Sequence, residues 1–167
     1  RTVARRGKGV LALSGHIGPF EILAAAQAKF GTKIATIGRL PNYISLAEYA
    51  AELRHNYGVI TIWREDPAAA KQFLRQIRTG GIMAVLIDQD VDIESIHVPF
   101  FGIEAGHPVS LIQLAVKLKI PICITLITRE RNGRYSIHDR EIKYDPADPD
   151  AVVKIVAEYS GYLEQLI

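Results

Sequence analysis

The chain has 167 residues, about the length of one domain, and is read as one domain over 1–167. Apolar residues make up 49% of it, which supplies a real core and excludes a disordered chain. Its 20 basic and 18 acidic residues leave a net charge of +2, a balance that speaks against a nucleic-acid partner.

The first residues carry a local basic cluster, Arg1, Arg5, Arg6 and Lys8. It reads either as a solvated helix end or as a contact with anionic lipid, where each basic residue is worth about 1 kcal/mol. Gly9–Ser14 is a short apolar run and predicts a buried strand. Pro19–Phe30 predicts a helix ended by Gly31, and Lys33–Ile37 a second strand. Ser45-Leu-Ala-Glu48 has capping-box spacing and opens a helix to about Tyr57. Val59–Trp63 is a third strand. Asp66-Pro67 reads as an N-cap followed by proline at the first helical position, with Phe73, Leu74 and Ile77 on one face and Gly80-Gly81 as the stop.

Ile82–Ile87 is continuously apolar, the pattern of a central strand in a parallel sheet. A loop with Asp88, Asp90 and Asp92 follows, and Pro108 starts a helix carrying Val109, Ile112, Leu114 and Leu118. Ile122–Arg129 and Tyr135–Ile142 read as strands joined in a hairpin by Arg131-Asn-Gly-Arg134. A last helix opens at Asp148-Pro149. Strand and helix alternate at short spacing, which argues for an α/β fold: a mainly parallel central sheet flanked by helices, with a C-terminal antiparallel hairpin. The lone cysteine, Cys123, sits in an apolar run; it excludes an internal disulfide and suits a buried thiol better than a nucleophile. No stretch approaches the roughly 20 apolar residues of a membrane span. The chain does not start with Met and stops inside the helical pattern of Tyr159, Tyr162, Leu163 and Leu166, so it reads as a piece of a longer protein.

Ligands of open parallel sheets gather at the carboxyl ends of the strands. Four polar segments follow the predicted strands: Ser14–Glu21, Gly38–Asn42, Arg64–Asp66 and Asp88–Asp90. His16 stands between two glycines at a strand-to-helix turn and is the side chain best matched to proton transfer near neutral pH. A turn at Gly18-Pro19 followed by a helix start would let Glu21 fold back onto the His16 ring; a straight helix or strand would not. A capping or otherwise structural histidine fits the same residues. The spacing Gly15-His-Ile-Gly18 is too short for the dinucleotide fingerprint, and neither G-x-S-x-G nor H-E-x-x-H is present. The Asp88/Asp90/Asp92 alternation would admit Mg²⁺ but equally suits a solvated loop, and no metal or cofactor is expected.

Several ordered blocks carry a family likeness. His16-Ile-Gly-Pro-Phe-Glu21 has the spacing H-x-G-x-x-E, with Pro19 and Phe20 in place of the usual Asn and Trp. Arg39, Asn42, Arg54 and Gly58 follow in order, then Gly80-Gly81, Asp88-Gln89-Asp90, Val98-Pro-Phe-Phe-Gly102, Ile120-Pro-Ile122, Arg129 and Gly133-x-Tyr135. From about Gly9 to Arg140 the chain resembles the late acyltransferases of lipid A biosynthesis (the lauroyl and myristoyl transferases), within the lysophospholipid acyltransferase superfamily. Gly106-His107-Pro108 departs from that family's small-Thr-Pro step, and the family's N-terminal membrane-associated region and C-terminal Trp- and Arg-containing block have no counterpart here.

The resemblance implies transfer of a fatty acyl group from an acyl carrier protein or coenzyme A thioester to a hydroxyl of a membrane lipid, a lipid A precursor in the closest-looking family. The acceptors of other superfamily members are phosphatidylinositol mannosides or lysophospholipids. His16 would be the general base and Glu21 its orienting carboxylate, with no acyl-enzyme. Arg39, Asn42, Asp88, Gln89, Phe100, Phe101, Gly102 and Arg129 would bind substrate, Phe100 and Phe101 as a groove wall. The full-length protein would sit, peripheral or anchored, at the cytoplasmic face of the bacterial inner membrane. The rival readings are a non-catalytic lipid- or partner-binding domain of the same fold and a nucleotide-binding α/β domain.

Overall fold

The computed structural model describes residues 9–167, so the basic cluster Arg1, Arg5, Arg6 and Lys8 lies outside the described residues. In chain order the elements are β1 (Val10–Ser14), α1 (Phe20–Lys29), β2 (Ile34–Gly38), α2 (Ile44–Asn56), β3 (Val59–Trp63), α3 (Ala69–Arg78), β4 (Ile82–Leu86), β5 (Ser95–Phe100), β6 (Ile103–Pro108), α4 (Ser110–Lys117), β7 (Ile122–Arg129), β8 (Tyr135–Ile142) and α5 (Ala151–Glu164). Six strands form one sheet in the order β3-β2-β4-β1-β7-β8. All its pairs are parallel except β7 with β8. The expected α/β architecture is therefore the observed one, with its C-terminal antiparallel hairpin.

β1 is buried along its whole length because β4 and β7 flank it and helices cover both faces. Alternation along the strands sorts the core into two layers. Val10, Ala12, Ile34, Ile82, Ala84 and Cys123 point to the face that carries α1 through Ala24. Leu11, Leu13, Ala35, Met83, Ile122 and Ile124 point to the opposite face, against α3, α4 and α5. Burial pushes the Cys123 thiol up to about 12, with the charges of Asp139 and Glu141 adding to it, so Cys123 carries almost no thiolate at neutral pH.

The helix starts differ from the sequence expectation. α2 begins at Ile44 with no side-chain cap, so the Ser45–Glu48 spacing does not form a capping box. α3 begins two residues after Pro67, because Asp66 Oδ1 accepts the Ala68 N–H at 2.8 Å and closes a local turn first. Pro108 does not start α4. It ends β6, whose pairing with β5 runs from Phe100↔Ile103 to Ser95↔Pro108. This second hairpin was not anticipated: Phe101 and Gly102 form its two-residue loop, with φ of 49° and 78°, the positive values that match strand twist.

α2 buries only Ala47. Leu46, Tyr49 and Leu53 lie on one helical stripe at i, i+3 and i+7, and they are 56%, 64% and 45% exposed. Glu48 and Glu52 fall off that stripe by the helical repeat.

Candidate active site

The connection after β1 runs to α1 on one face of the sheet, and the connection after adjacent β4 runs to α4 on the other. Connections leaving to opposite faces open a crevice at the carboxyl ends of the two strands. His16 follows β1, Asp88 follows β4, and the two meet in that crevice. His16 Nδ1 lies 2.7 Å from Asp88 Oδ1, and the His16 backbone N–H donates to Asp88 Oδ2 at 2.5 Å. A carboxylate only accepts, so Nδ1 carries a proton, and in the neutral ring the lone pair is then on Nε2. The His16 side chain is 37% exposed and that of Asp88 13%: the ring reaches solvent while its partner is shielded. The Phe20 ring stands edge-on to the imidazole, 5.0 Å away between centroids.

The backbone around this pair leaves no spare room. A Cβ on Gly15 would stand 2.7 Å from Tyr159 Oη and 3.0 Å from Asp88 Oδ2. Gly18 has φ of +56°, and a Cβ there would meet the Ile127 carbonyl oxygen at 2.2 Å. Tyr159 Oη donates to the Ser14 carbonyl at 2.7 Å and locks the end of β1. Burial, with the Asp88 charge added, raises the Tyr159 pKa, so the phenol stays a donor. On β6, in the two-stranded sheet, buried His107 lies with Nδ1 2.7 Å from the Ile87 carbonyl, one residue before Asp88, and packs edge-on against Tyr159. Neither Tyr159 nor His107 stands out in the sequence as a support for the site; Tyr159 reads there as part of a helical pattern and His107 as a family departure.

The expected contact between Glu21 and His16 is absent. Glu21 lies in the first turn of α1 and takes the guanidinium of Arg54 instead, with Arg54 Nε 3.0 Å from Oε2 and Nη2 2.5 Å from Oε1. The turn at Gly18-Pro19 does form, but Phe20 fills the space beside the ring, and Asp88 occupies Nδ1. The carboxylate bonded to His16 therefore comes from the segment after β4 and not from the histidine motif.

A cavity of about 610 Å³ opens beside His16. Glu21, Arg39, Arg54, Arg64 and Gln89 line its polar part. Arg39 makes no hydrogen bond or ion pair among the described residues. The rest is apolar and straddles the sheet edge. One lobe runs under α1 along Leu23, Ala24, Ile34, Ala84 and Leu86. It ends on a buried polar floor, where Gln27 Nε2 donates to Thr125 Oγ1 at 3.3 Å and Thr125 donates to Asp139 Oδ1 at 2.5 Å. The other lobe lies on the α4 face, along Ile37, Val85, Ile87, Val91, Ile93 and Leu111.

Of the residues picked from the sequence, His16, Glu21, Arg39 and Gln89 line this cavity and Asp88 bonds to His16. Five do not converge on it. Asn42 is exposed ahead of α2, and Arg129 is exposed at the end of β7. Phe100, Phe101 and Gly102 sit at the β5–β6 end, tied to α5 by the Phe101 N–H bond to Glu164 Oε1 at 2.6 Å. The two phenylalanines pack on each other with 4.8 Å between ring centroids and form no wall of this groove. Among the described residues no group of three or more His, Cys, Asp or Glu is placed to hold a metal ion, and no helix is long and apolar enough to cross a membrane.

A family model described as bacterial lipid A biosynthesis acyltransferase matches residues 1–159. No curated protein matches the chain.

Proposed function

Because this chain belongs to the bacterial lipid A biosynthesis acyltransferase family and is therefore an acyltransferase, we propose that it moves a fatty acyl group from a carrier-protein or coenzyme A thioester to a hydroxyl of a glucosamine-based lipid A precursor, with His16 as general base. The observation that carries the reading is the His16–Asp88 pair at the mouth of an apolar cavity. In the proposed step, Nε2 takes the proton from the acceptor hydroxyl as its oxygen attacks the thioester carbonyl. The tetrahedral intermediate then expels the thiolate, which recovers the proton from the imidazolium. An ester forms, a thioester breaks, and no acyl-enzyme is needed.

Asp88 holds the tautomer and stabilises the imidazolium. Glu21 acts through Arg54, fixing a guanidinium that lines the cavity, while Arg39 supplies a second fork-shaped donor for a phosphate or the developing oxyanion. The acyl chain lies in the lobe under α1, whose walls are apolar and whose floor is closed. The test is transfer of labelled acyl groups by the full-length protein, from both donor types to a panel of glucosamine-based and glycerol-based lipids. Transfer to a phosphorylated glucosamine lipid is the expected result. Transfer only to glycerol-based lipids would reassign the acceptor, and transfer to none would remove the general-base reading.

We also propose that the protein docks at the cytoplasmic face of the bacterial inner membrane through the Leu46–Tyr49–Leu53 stripe of α2. The stripe is apolar and aromatic, suits the headgroup boundary, and shares its helix with cavity-lining Arg54. A fluorophore attached at Leu53→Cys should be quenched severalfold more by spin-labelled phospholipid in vesicles than one at Glu52→Cys. Cys123, buried and protonated, stays unlabelled. Equal quenching at the two positions would remove this face from the proposal.

A further inference from the structure

α3 carries Lys71, Arg75 and Arg78 and no acidic residue. At i, i+4 and i+7 the three share one helical face, and all three are exposed. Beside that face a groove of about 650 Å³ lies between α3 and the free edge of β3. Ile60 and Ile62 supply its apolar lining, Gln72, Arg75 and Thr79 its helix side, and exposed Lys33 a fourth cation. The side chains of Lys33, Lys71, Arg75 and Arg78 make no hydrogen bond or ion pair among the described residues. The two acids just before α3 are engaged elsewhere: Glu65 with Arg64 and the Leu40 N–H, Asp66 with Gln72 and the Ala68 N–H. The helix dipole favours Arg75 and Arg78 in the last turn, but it disfavours a cation at Lys71, the third residue of the helix. Stability of α3 therefore does not account for the whole stripe.

The position of this face bears on what it meets. β3 ends at Trp63, and the next residue, Arg64, lines the cavity of His16. Three strand spacings separate β3 from β1, about 14 Å. An extended phosphopantetheine arm is as long as five residues of extended chain, roughly 17 Å, and spans that gap. α2 and α3 lie on opposite faces of the sheet, because β2-α2-β3 steps outward along it, β3-α3-β4 steps back, and both crossovers are right-handed. With α2 on the membrane as proposed, α3 faces away from it, where a soluble partner arrives.

We propose that the basic face of α3 and the groove beside it dock an acidic carrier protein that bears the acyl thioester. The donor is then recognised as a protein and not only as a small thioester. This rests on the reading that the chain takes its acyl group from a thioester. Charge complementarity selects the occupant: four unpaired cations around an apolar-lined groove fit a partner surface of carboxylates interleaved with aliphatic side chains. The competing occupant is an anionic membrane. A bilayer suits a face with protruding apolar side chains, and α3 has no large apolar side chain among the exposed ones.

The experiment uses the full-length protein, the triple variant Lys71→Glu/Arg75→Glu/Arg78→Glu, and the same triple to Gln, which keeps the fold free of added like charges. Binding of an unacylated acidic acyl carrier protein is measured by fluorescence anisotropy. KM is then measured for the dodecanoyl thioesters of that carrier and of pantetheine, and binding to vesicles containing phosphatidylglycerol is measured in parallel. The Glu triple should bind the carrier at least about tenfold more weakly and raise its KM by a similar factor, with a smaller effect in the Gln triple. The wild-type carrier KM should rise with salt and lose that dependence in the variants. The pantetheine thioester should show no comparable change. Carrier binding that is absent in the wild type or unchanged in the variants would overturn the proposal, as would an equal change for both thioesters. Loss of vesicle binding without loss of carrier binding would give the face to the membrane. Binding of the unacylated carrier is independent of catalysis, so its loss in the variants would stand even if His16 proved dispensable. A His16-dependent transfer from the carrier thioester that is indifferent to all three substitutions would sink only the docking face.

Discussion

Replacing His16 by alanine is expected to lower acyl transfer by roughly 10² to 10⁴, the range for removing a general base that is held by a carboxylate. The loss should fall on kcat, because in the proposed step the ring takes its proton in the transition state and binds little of the ground state. Asp88→Asn should cost a comparable factor while leaving the protein folded. Asp88 receives two N–H groups, one from the His16 backbone and one from Nδ1. An asparagine has one acceptor oxygen and one NH₂ group, so it cannot satisfy both, and the mismatch drives the imidazole towards the tautomer with its proton on Nε2. That tautomer has no lone pair facing the acceptor. Steady-state transfer with the full-length protein, beside circular dichroism of each variant, reads this directly. An Asp88→Asn enzyme of near wild-type rate would remove the His16–Asp88 pair from the mechanism.

Glu21 gives the contrasting case. Its carboxylate meets Arg54 and not His16, so Glu21→Gln and Arg54→Met remove one unit, and their combined effect on transfer is smaller than the product of the single effects. Had Glu21 been the orienting group, its loss would have been coupled to His16 instead.

The difference between these carboxylates marks how far the sequence carried. His16 was legible because its neighbours are local: a buried strand before it, Gly18-Pro19 after it, and a helix start whose spacing is a property of one segment. Its partner was not, because Asp88 is 72 positions away and arrives only through the pairing of β1 with β4. Periodicity identifies β4 as central but says nothing about which strand lies next to it. The β5–β6 hairpin was hidden for a different reason. Phe101-Gly102 is not one of the usual turn dipeptides, since a phenylalanine at φ of 49° is strained unless the surroundings hold it, here through Glu164. Phe100 and Phe101 therefore looked like a loop free to wall the groove. The lobed cavity has no sequence signature at all: Ala24, Ala84 and Ile34 look like ordinary core positions, and in the fold they are core and cavity lining at once.

With the acyl chain placed in that cavity as proposed, the second large effect is on the length of the acyl group transferred. Ala24 is small, lines the lobe under α1 and is 7% exposed, so a phenylalanine there takes up space between α1 and the sheet. Each methylene that can no longer be buried costs about 0.8 kcal/mol, or roughly fourfold in affinity, and shutting out four of them costs roughly 10²-fold. Ala24→Phe should therefore lose long thioesters by about that factor in kcat/KM and retain the short ones. Gln27→Ala acts in the opposite sense. It removes the amide at the floor, and the Thr125 hydroxyl keeps its bond to Asp139, so no buried donor is orphaned. The deepened lobe should shift the preference towards longer chains. A series from octanoyl to palmitoyl thioesters, run on both variants and the wild type, separates the two directions. If both variants slow every donor equally, the lobe is a packing defect and the acyl chain lies elsewhere. If they shift the preference in opposite senses, Gln27 is the residue at which the chain stops.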